Sequence, residues 1–233
     1  MHWPKKGVRP LFALKGSDPV ATQARCRRSA LAERRGLTAF LIALSIAYPS
    51  AAGAQQLSAA DRAEVARIEA YINRITTFKA DFVQIAPNGA IARGTLWISR
   101  PGRLRVEYRP PEKLRIFATP QWLIVEDCKV KEPQYLPLRS TPAGILLQER
   151  IALSGEFRVT QVRRENQWLA VTIVEAKSPE KGSMRLVFRA NPLQLIGWTV
   201  IDQNGGPTQV SLENVEAGIP LDVNLFGYVG RCD

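Results

Sequence analysis

The stretch from Gly94 to Tyr108 reads GTLWISRPGRLRVEY, and it decides the fold that the rest of the chain is expected to share. In its second half apolar residues alternate with charged ones, so that Leu104, Val106 and Tyr108 fall on one face of an extended strand. The Pro-Gly pair in the middle predicts a tight turn between two strands. The pattern is typical of an antiparallel sheet with one dry face and one solvated face.

The beginning of the chain has the three-part pattern of a secretory signal peptide. A basic lead precedes an uncharged run from Leu37 to Tyr48, and small residues follow, with Ala52 and Ala54 at the cleavage positions. The uncharged run is short for a membrane span. We therefore predict that residues 1–54 are removed and that residues 55–233 form one soluble periplasmic domain.

Removal of that segment reduces the basic excess of the chain. Residues 1–54 hold nine of the 32 Lys and Arg and two of the 21 Asp and Glu, which leaves 23 against 19, so the net charge falls from +11 to +4. This balance does not predict a nucleic-acid partner. The single histidine, His2, is also removed, which excludes histidine from acid–base catalysis, Ser-His triads and metal binding.

Two cysteines remain after cleavage, Cys128 and Cys232. In an oxidising compartment a disulfide between them is favoured over two free thiols, and it would staple the C-terminal tail. A disulfide that closes the long loop between these two cysteines stabilises a protein by about 4 to 5 kcal/mol in the chain-entropy model. Two thiols without histidine make a poor metal site, and the sequence contains no G-x-S-x-G motif and no phosphate loop. We predict no cofactor, no metal and no catalytic residues, and an enzyme is the least favoured class.

The remaining chain begins with a helix and continues as strands. Ser58 is a suitable N-cap, and the apolar residues from Val65 to Ile75 recur at helical spacing. From Thr77 onward the period becomes two, and turn signals divide the chain into about eleven short strands. The tryptophans in these strands are expected in the core, and the nearby arginines are expected on a solvated face rather than in a binding stripe. The tryptophans are Trp97, Trp122, Trp168 and Trp198, and the arginines are Arg103, Arg105, Arg109 and Arg115.

A second, short helix is predicted at Ser140 to Leu147, with a capping Ser or Thr and with Pro142 near its first position. Such a helix is too short to be stable alone, so it must rest on apolar surface. A core-packing loop helix and a movable lid are equally compatible with the pattern. Eleven antiparallel strands favour a curled sheet that leaves a ligand-sized interior, while a two-sheet sandwich with an ordinary core is the alternative.

Two parts of the sequence resemble the LolA family of outer-membrane lipoprotein carrier proteins. The first is F-x-A-x-F-x-Q from Phe78, followed by G-x-LWI-x-RPG-x-LR from Gly94 and then by Tyr108 and Pro111. The second is Pro137-Leu138 followed by STPAGILL from Ser140, which is similar to the family's short lid segment. The similarity extends over nearly all of residues 57–231 and is most specific in the first half.

The resemblance implies a mainly β fold with helices, an incomplete antiparallel β-barrel whose helices form a lid over a hydrophobic cavity for lipoprotein acyl chains. By motif match, Arg100 holds the lid closed through hydrogen bonds. The residues predicted to line the cavity are Leu104, Val106, Tyr108, Leu114, Ile116, Ile145, Leu146 and Leu147. The implied partners are acylated lipoproteins, an ATP-driven releasing complex of the inner membrane and an outer-membrane acceptor, with the carrier acting as a monomer.

Three positions depart from the family pattern: Thr119-Pro120 replaces a common Asp-Gly turn, Leu123 replaces an aromatic residue, and the tail is short and ends near Cys232. Because of these departures, the resemblance does not extend to transfer from the releasing complex or to the role of the tail. The alternative function is a periplasmic module of related fold that senses lipids or lipoproteins.

The disulfide gives a direct test of the predicted compartment and pairing. Peptide mass spectrometry of the unreduced periplasmic protein is expected to find Cys128 and Cys232 in one cross-linked peptide. Recovery of both cysteines as free thiols, after alkylation without reductant, would contradict the prediction.

Overall fold

The computed structural model describes residues 57–130, 132–228 and 230. The predicted signal peptide, residues 1–54, and Cys232 lie outside the described residues, so both remain predictions. Within the described part of the chain, the strands are β1 (Thr77–Ile85), β2 (Ile91–Ser99), β3 (Arg103–Tyr108), β4 (Leu114–Ala118), β5 (Trp122–Asp127), β6 (Gln134–Pro137), β7 (Phe157–Glu165), β8 (Trp168–Glu175), β9 (Gly182–Ala190), β10 (Leu193–Asp202) and β11 (Pro207–Ala217). The α-helices are α1 (Ala59–Arg74) and α2 (Pro142–Leu146).

All eleven strands form one antiparallel sheet in the order β6-β5-β4-β3-β2-β1-β11-β10-β9-β8-β7. The two edge strands, β6 and β7, are not paired with each other, so the sheet is an incomplete barrel. The predicted strand number and fold class are confirmed, and the alternative of a two-sheet sandwich is wrong. The Gly94–Tyr108 stretch forms the β2–β3 hairpin, in which Ile98 faces Leu104 and Leu96 faces Val106.

Alternation along each strand divides the sheet into an inner face and an outer face. In β1 and β3 every second residue is buried, and these residues belong to one continuous core with the buried residues of both helices. We call the face toward this core the inner face. Burial of apolar side chains on it is the main stabilising contribution, because each fully buried Leu, Ile or Phe contributes about 1.5 to 3 kcal/mol.

Helix α1 has the predicted cap and the predicted apolar stripe. Ser58 and Asp61 form a capping box, in which the Asp61 amide donates to Ser58 Oγ at 3.1 Å and the Ser58 amide donates to Asp61 Oδ2 at 3.3 Å. Ile68 and Ile72 are buried, while Val65 and Ile75 pack against the core at its margin. The helix therefore lies with its apolar side on the inner face of the sheet.

Contacts along α1 locate it at one end of the strands. The Arg164 side chain on β7 binds Asp61 near the start of the helix at 2.7 Å, and Arg67 donates to the carbonyl of Ala190 at the end of β9 at 3.3 Å. The helix then leads directly into β1. We call this end of the sheet the lid end; Ser99, Arg103, Trp122, Pro137, Glu165 and Trp168 mark it in their strands.

The sequence pattern predicted a solvated outer face for β3 to β5, but the middle of this face is covered. A 3₁₀ turn at Val223–Phe226 and Tyr228 after it cross this face, and Arg105 donates to the carbonyl of Leu225 at 2.8 Å. The Tyr228 ring lies 5.3 Å from that of Phe117, which is 2 % exposed. The guanidinium carbons of Arg105 and Arg115 lie 5.4 and 5.9 Å from the same ring. Both faces of β4 are consequently buried.

The expectation that the strand tryptophans pack in the core is correct for Trp198 and wrong for the other three, of which Trp97 is half-buried on the outer face and lies outside the core cluster. Trp198 is 1 % exposed, whereas Trp122 is 46 % exposed and Trp168 is 59 % exposed. Both exposed tryptophans begin their strands and point to the outer face. Strand membership does not fix burial, because alternate positions of a strand face opposite sides of the sheet.

None of the helices in the described part of the chain is long and apolar enough to cross a membrane.

Gly94 tests the packing of the β2–β3 hairpin on β1. A Cβ at this position would lie 2.2 Å from the Glu107 carbonyl oxygen and 2.6 Å from the Phe82 ring. We expect Gly94→Ala to lower the free energy of unfolding by about 1 to 3 kcal/mol, because main chain and ring must both shift. Urea denaturation measures the effect. Ser211→Ala, at an exposed outer position of β11, is the control and should change stability by less than about 0.5 kcal/mol; equal stability of the two variants would contradict this packing.

Candidate functional site: an apolar interior beneath two helices

The side chain of Arg100 joins the two helices that cover the inner face. Its Nε donates to the carbonyl oxygen of Ile75 at 3.0 Å, and its Nη2 donates to the carbonyls of Ile72 and Ile75. Its Nη1 donates to the carbonyl oxygen of Gln148, just beyond α2, at 3.4 Å. One guanidinium therefore connects the end of α1 with the segment that follows α2. This geometry is what a residue that holds a lid closed requires.

The partners of Arg100 are main-chain carbonyls, of which that of Ile72 also accepts from the Ile75 amide at 3.1 Å. The last carbonyls of a helix have no partner within the helix, and a cation is favoured there by the helix dipole. Burial lowers the pKa of the Arg100 guanidinium, but an arginine starts so far above neutrality that the group stays charged at pH 7. The guanidinium is thus half-buried and is bonded to main-chain carbonyl oxygens. No carboxylate among the described residues pairs with it.

The turn that carries Arg100 also contacts α2 directly. The amide of Gly102 donates to the carbonyl of Leu147 at 2.9 Å. Gly102 has a φ of +73°, which favours glycine, and a Cβ there would lie 3.1 Å from Pro120 Cα. The β2–β3 turn therefore holds α2 by one main-chain bond and by the Arg100 side chain.

Helix α2 has the predicted start. The Thr141 side chain accepts from the Gly144 amide, and Pro142 occupies the first turn. A Cβ on Gly144 would lie 2.4 Å from the Leu138 carbonyl oxygen, so the helix packs tightly on the 3₁₀ turn before it. With five residues, α2 depends on these contacts and on its apolar side chains for its stability.

The segment after α2 is bound to α1 by residues that the sequence analysis did not identify. Asn73 Nδ2 donates to the Ile151 carbonyl and the Ile151 amide donates to Asn73 Oδ1, both at 2.9 Å. Glu69 Oε1 accepts from the Leu153 amide at 2.6 Å. These residues lie on the polar side of an amphipathic helix, where the sequence alone does not distinguish a solvated side chain from a docked one. These bonds join α1 to the segment that contains α2 and continues to residue 153. We call the two helices and this segment together the helical cover.

Each of the eight residues predicted to line the cavity belongs to the core or packs against it. Seven are buried, and Ile145 on α2 is half-buried against the same core. The seven are Leu104, Val106, Tyr108, Leu114, Ile116, Leu146 and Leu147. The structure thus brings the strand residues and the α2 residues into one apolar cluster, as the prediction requires. Whether an acyl chain contacts them remains a prediction.

A small cavity lies on the inner face near the lid end. A cavity of about 40 Å³ has room for roughly three water molecules, and one side of it is the Arg100 side chain. Leu146 is the one predicted cavity residue among its walls. Its walls are Tyr71, Ile72, Ile75, Phe78, Ile98, Arg100, Leu146, Leu195 and Trp198. An acyl chain needs far more space than this, so the interior must enlarge before it can accept one.

Tyr71 and Trp198 are two of the three large aromatic walls of the cavity, with Phe78 as the third, and neither was predicted to line it. The Tyr71 hydroxyl accepts from the Leu195 amide at 3.1 Å, and burial raises the pKa of this hydroxyl, which keeps it neutral. The Tyr71 ring also meets the ring of Phe188 edge-on at 6.1 Å. The position of Tyr71 in the helical pattern and of Trp198 in the strand pattern was the only sequence signal that either side chain faces the interior. Tertiary contacts are needed to distinguish a cavity wall from a core residue.

Deeper in the interior a polar pair interrupts the apolar surface. The Tyr108 hydroxyl donates to Gln84 Oε1 at 2.8 Å, and both residues are buried. The Tyr108 ring also packs edge-on against Phe82, with the ring centres 5.1 Å apart. The pair fixes the orientation of the Tyr108 ring on the inner face.

Cys128 is disulfide-bonded at the end of β5, while its predicted partner Cys232 lies outside the described residues. No group of three or more side chains suited to metal binding occurs among the described residues.

A family model and several named relatives indicate one family for this chain. Residues 73–229 match the family model described as outer membrane lipoprotein carrier protein LolA. An outer-membrane lipoprotein carrier protein of Methylococcus capsulatus is 26% identical over 180 residues, which is 73% of this chain and 86% of that protein. One of Chromobacterium violaceum is 28% identical over 199 residues, which is 79% of this chain and 88% of that protein. Among solved structures, a LolA superfamily protein from Nitrosomonas europaea aligns with a TM-score of 0.42 at 12% identity, covering 70% of this chain and 97% of that one.

Arg100→Leu tests whether the guanidinium holds the helical cover in place. We expect exchange of the Gly102 and Leu147 amides with solvent deuterium to accelerate about ten- to a hundredfold, because the variant loses several hydrogen bonds from a charged group. Amides at the centre of β1 should exchange as in the parent protein. Arg103→Leu, at an exposed position of the same turn, is the matched control. Equal exchange in the two variants would show that Arg100 does not fasten the cover.

Proposed function

The chain belongs to the LolA family of outer-membrane lipoprotein carrier proteins, and on this basis we propose that it is a periplasmic carrier of lipoproteins. In this proposal the acyl chains of a lipoprotein occupy the interior beneath α1 and α2. The observation that supports it most directly is the continuous apolar cluster between the sheet and the short helix α2, fastened by Arg100.

The physical need for such a carrier follows from the cost of exposing acyl chains to water. Each buried methylene contributes about 0.8 kcal/mol, so a sixteen-carbon chain requires roughly 12 kcal/mol of compensating apolar contact. An aqueous compartment does not supply this contact. A protein that carries the chain must provide a dry surface and must also release the chain at its destination.

The helical cover has the properties that release and loading require. It is fastened in part by hydrogen bonds from the Arg100 guanidinium to main-chain carbonyls, each of which contributes about 1.5 to 3 kcal/mol net because the donor is charged. Displacement of α2 from the sheet uncovers the core cluster that contains Leu104, Val106 and Ile116. Closed and open arrangements that differ by a few such bonds exchange readily, and a lipid chain shifts the balance because it binds the open form.

The residues then have distinct roles in the proposed carrier. Arg100 stabilises the closed form, while the α2 residues Ile145, Leu146 and Leu147 cover the interior. The strand residues Leu104, Val106, Tyr108, Leu114 and Ile116 form the surface on which the chain lies. No step of this cycle needs bond-making chemistry, so the protein acts by binding and not as an enzyme.

The route and the partners follow from the family. We propose that the protein is secreted through the signal peptide in residues 1–54, with residues 55–233 as the carrier domain. It collects acylated lipoproteins as a monomer from an ATP-driven releasing complex of the inner membrane and delivers them to an acceptor at the outer membrane.

The carrier proposal predicts that acylated lipoprotein co-purifies with the periplasmic protein in a soluble one-to-one complex. Leu104→Glu is expected to abolish this complex, because a carboxylate on the inner face must be desolvated by the acyl chain. Native mass spectrometry of the purified protein measures the bound cargo. Ser211→Glu places the same charge on the outer face of β11 and should leave loading unchanged.

Leu104 is fully buried in the closed form, so the folding of its variant is checked by circular dichroism. Ile145→Glu is the second variant, because Ile145 is half-buried on α2 and a carboxylate there reaches water when the interior is empty. A folded Ile145→Glu or Leu104→Glu protein that retains its lipoprotein would refute the proposed lipid surface.

A further inference from the structure

The two exposed tryptophans occupy corresponding places at opposite edges of the sheet. Trp122 begins β5, the second strand from one edge, and Trp168 begins β8, the second strand from the other. Both lie at the lid end and on the outer face, and their rings are 46 % and 59 % exposed. A large exposed aromatic side chain is a signal of an interaction surface when it is accompanied by others of matching chemistry.

Trp122 has an aromatic neighbour on the edge strand. Its ring meets that of Tyr135 on β6 edge-on, with the centres 6.4 Å apart, and Tyr135 is 52 % exposed. Tryptophan and tyrosine together are characteristic of the level of lipid headgroups, because each has an apolar ring and a polar atom.

Trp168 stands beside a basic residue. It faces Arg189 of β9 directly in the register of the sheet, and Arg189 is exposed. Side chains in this relation have Cβ atoms about 5 Å apart, so the ring and the guanidinium share one surface. On the other side of Trp168 lies Glu165, which belongs to the β7–β8 hairpin.

Four more exposed arginines stand on the turns and helix ends at the lid end. Arg74 ends α1, Arg103 follows the β2–β3 turn, and Arg139 and Arg150 precede and follow α2. Neither these four nor Arg189 form an ion pair with another described residue. The exposed carboxylates on the same turns are Glu149 and Glu165, so positive charge is in excess.

The opposite end of the sheet carries no exposed tryptophan among the described residues. Two of its lysines are paired with acids, Lys129 with Glu112 at 3.5 Å and Lys181 with Glu175 at 3.2 Å, whereas the exposed Lys113 and Lys177 form no ion pair with a described residue. The combination of exposed tryptophan with unpaired arginine therefore distinguishes the lid end among the described residues.

We infer that the lid end binds the surface of a bilayer that contains anionic phospholipids. Each Lys or Arg near such a surface adds to the attraction, and a cluster of four to eight is typical of membrane-binding segments. The tryptophans insert at the headgroup level while the arginines contact the phosphates. Since Arg100 and the cavity walls Ile75 and Ile98 lie at the same end, the bound surface is adjacent to the opening of the interior.

This inference deepens the proposed carrier function by assigning the surface with which the protein approaches a membrane, but its test does not depend on cargo. Co-sedimentation of the purified, lipoprotein-free protein with vesicles of phosphatidylcholine, with and without phosphatidylglycerol, measures binding directly. We expect binding to the phosphatidylglycerol vesicles alone, weakened by added salt. Binding is also expected to shift the tryptophan emission to shorter wavelength.

Variants at the lid end identify the surface. Arg103→Gln with Arg189→Gln should weaken binding about twenty-fivefold, at about fivefold for each charge removed. Trp122→Ala with Trp168→Ala should weaken it severalfold and abolish the emission shift. The charge-matched control is Lys113→Gln with Lys177→Gln, which changes two exposed lysines at the opposite end and should lose much less affinity.

Three results would overturn the inference. These are equal binding to neutral and anionic vesicles, equal loss in the lid-end and control variants, and parent-like vesicle binding by the lid-end variants. If the last were found together with weaker capture of a purified inner-membrane or outer-membrane partner protein, the surface would belong to a protein interface. Failure of vesicle binding with lipoprotein still co-purifying would leave the carrier function intact.

Discussion

A single half-buried cation, the guanidinium of Arg100, connects the parts of the structure on which the candidate site depends. Its hydrogen bonds go to the carbonyls at the end of α1 and to the carbonyl of Gln148 after α2. A carboxylate partner in this place would be costly to separate, because breaking a buried ion pair leaves an uncompensated charge. Carbonyl oxygens and a guanidinium both hydrate readily when they are uncovered. The guanidinium therefore joins the two helices in this structure through groups that can each exchange their partner for water.

Local patterns were sufficient to predict most of the sheet and the first helix. The alternation from Leu104 to Tyr108, the Ser58 cap and the Pro142 helix start each depend on neighbours in sequence, and each is confirmed. The outer face of β4 was not predictable, because Phe117 is buried by Tyr228, more than a hundred residues later in the chain. Trp122 and Trp168 were placed in the core for the same reason: strand membership is local, whereas the side of the sheet that is covered is decided by distant elements.

The candidate site shows the same division between local and distant information. The period of two in the sequence predicted which residues share an apolar face. The core cluster contains the strand residues that were expected. The volume of the interior did not follow, since it is set by how closely α1 and α2 approach the sheet. Asn73 and Glu69, which fix that approach, look like ordinary polar residues of a surface helix until their bonds to Ile151 and Leu153 are seen. The volume of a cavity depends on how closely two packed surfaces approach each other, whereas sequence patterns describe each surface separately.

A nearly filled interior is what a carrier requires when it holds no cargo. An empty cavity large enough for an acyl chain would leave its lining without contacts, and such voids destabilise a fold in proportion to their volume. In this structure side chains of α1 and α2 pack on the inner face, and the cavity beside Arg100 has a volume of about 40 Å³. The chain that enters must replace those contacts, so its net affinity is the difference between its own burial and that of α2. Because α2 has only five residues and depends on tertiary contacts for its stability, its displacement costs less than that of a longer helix.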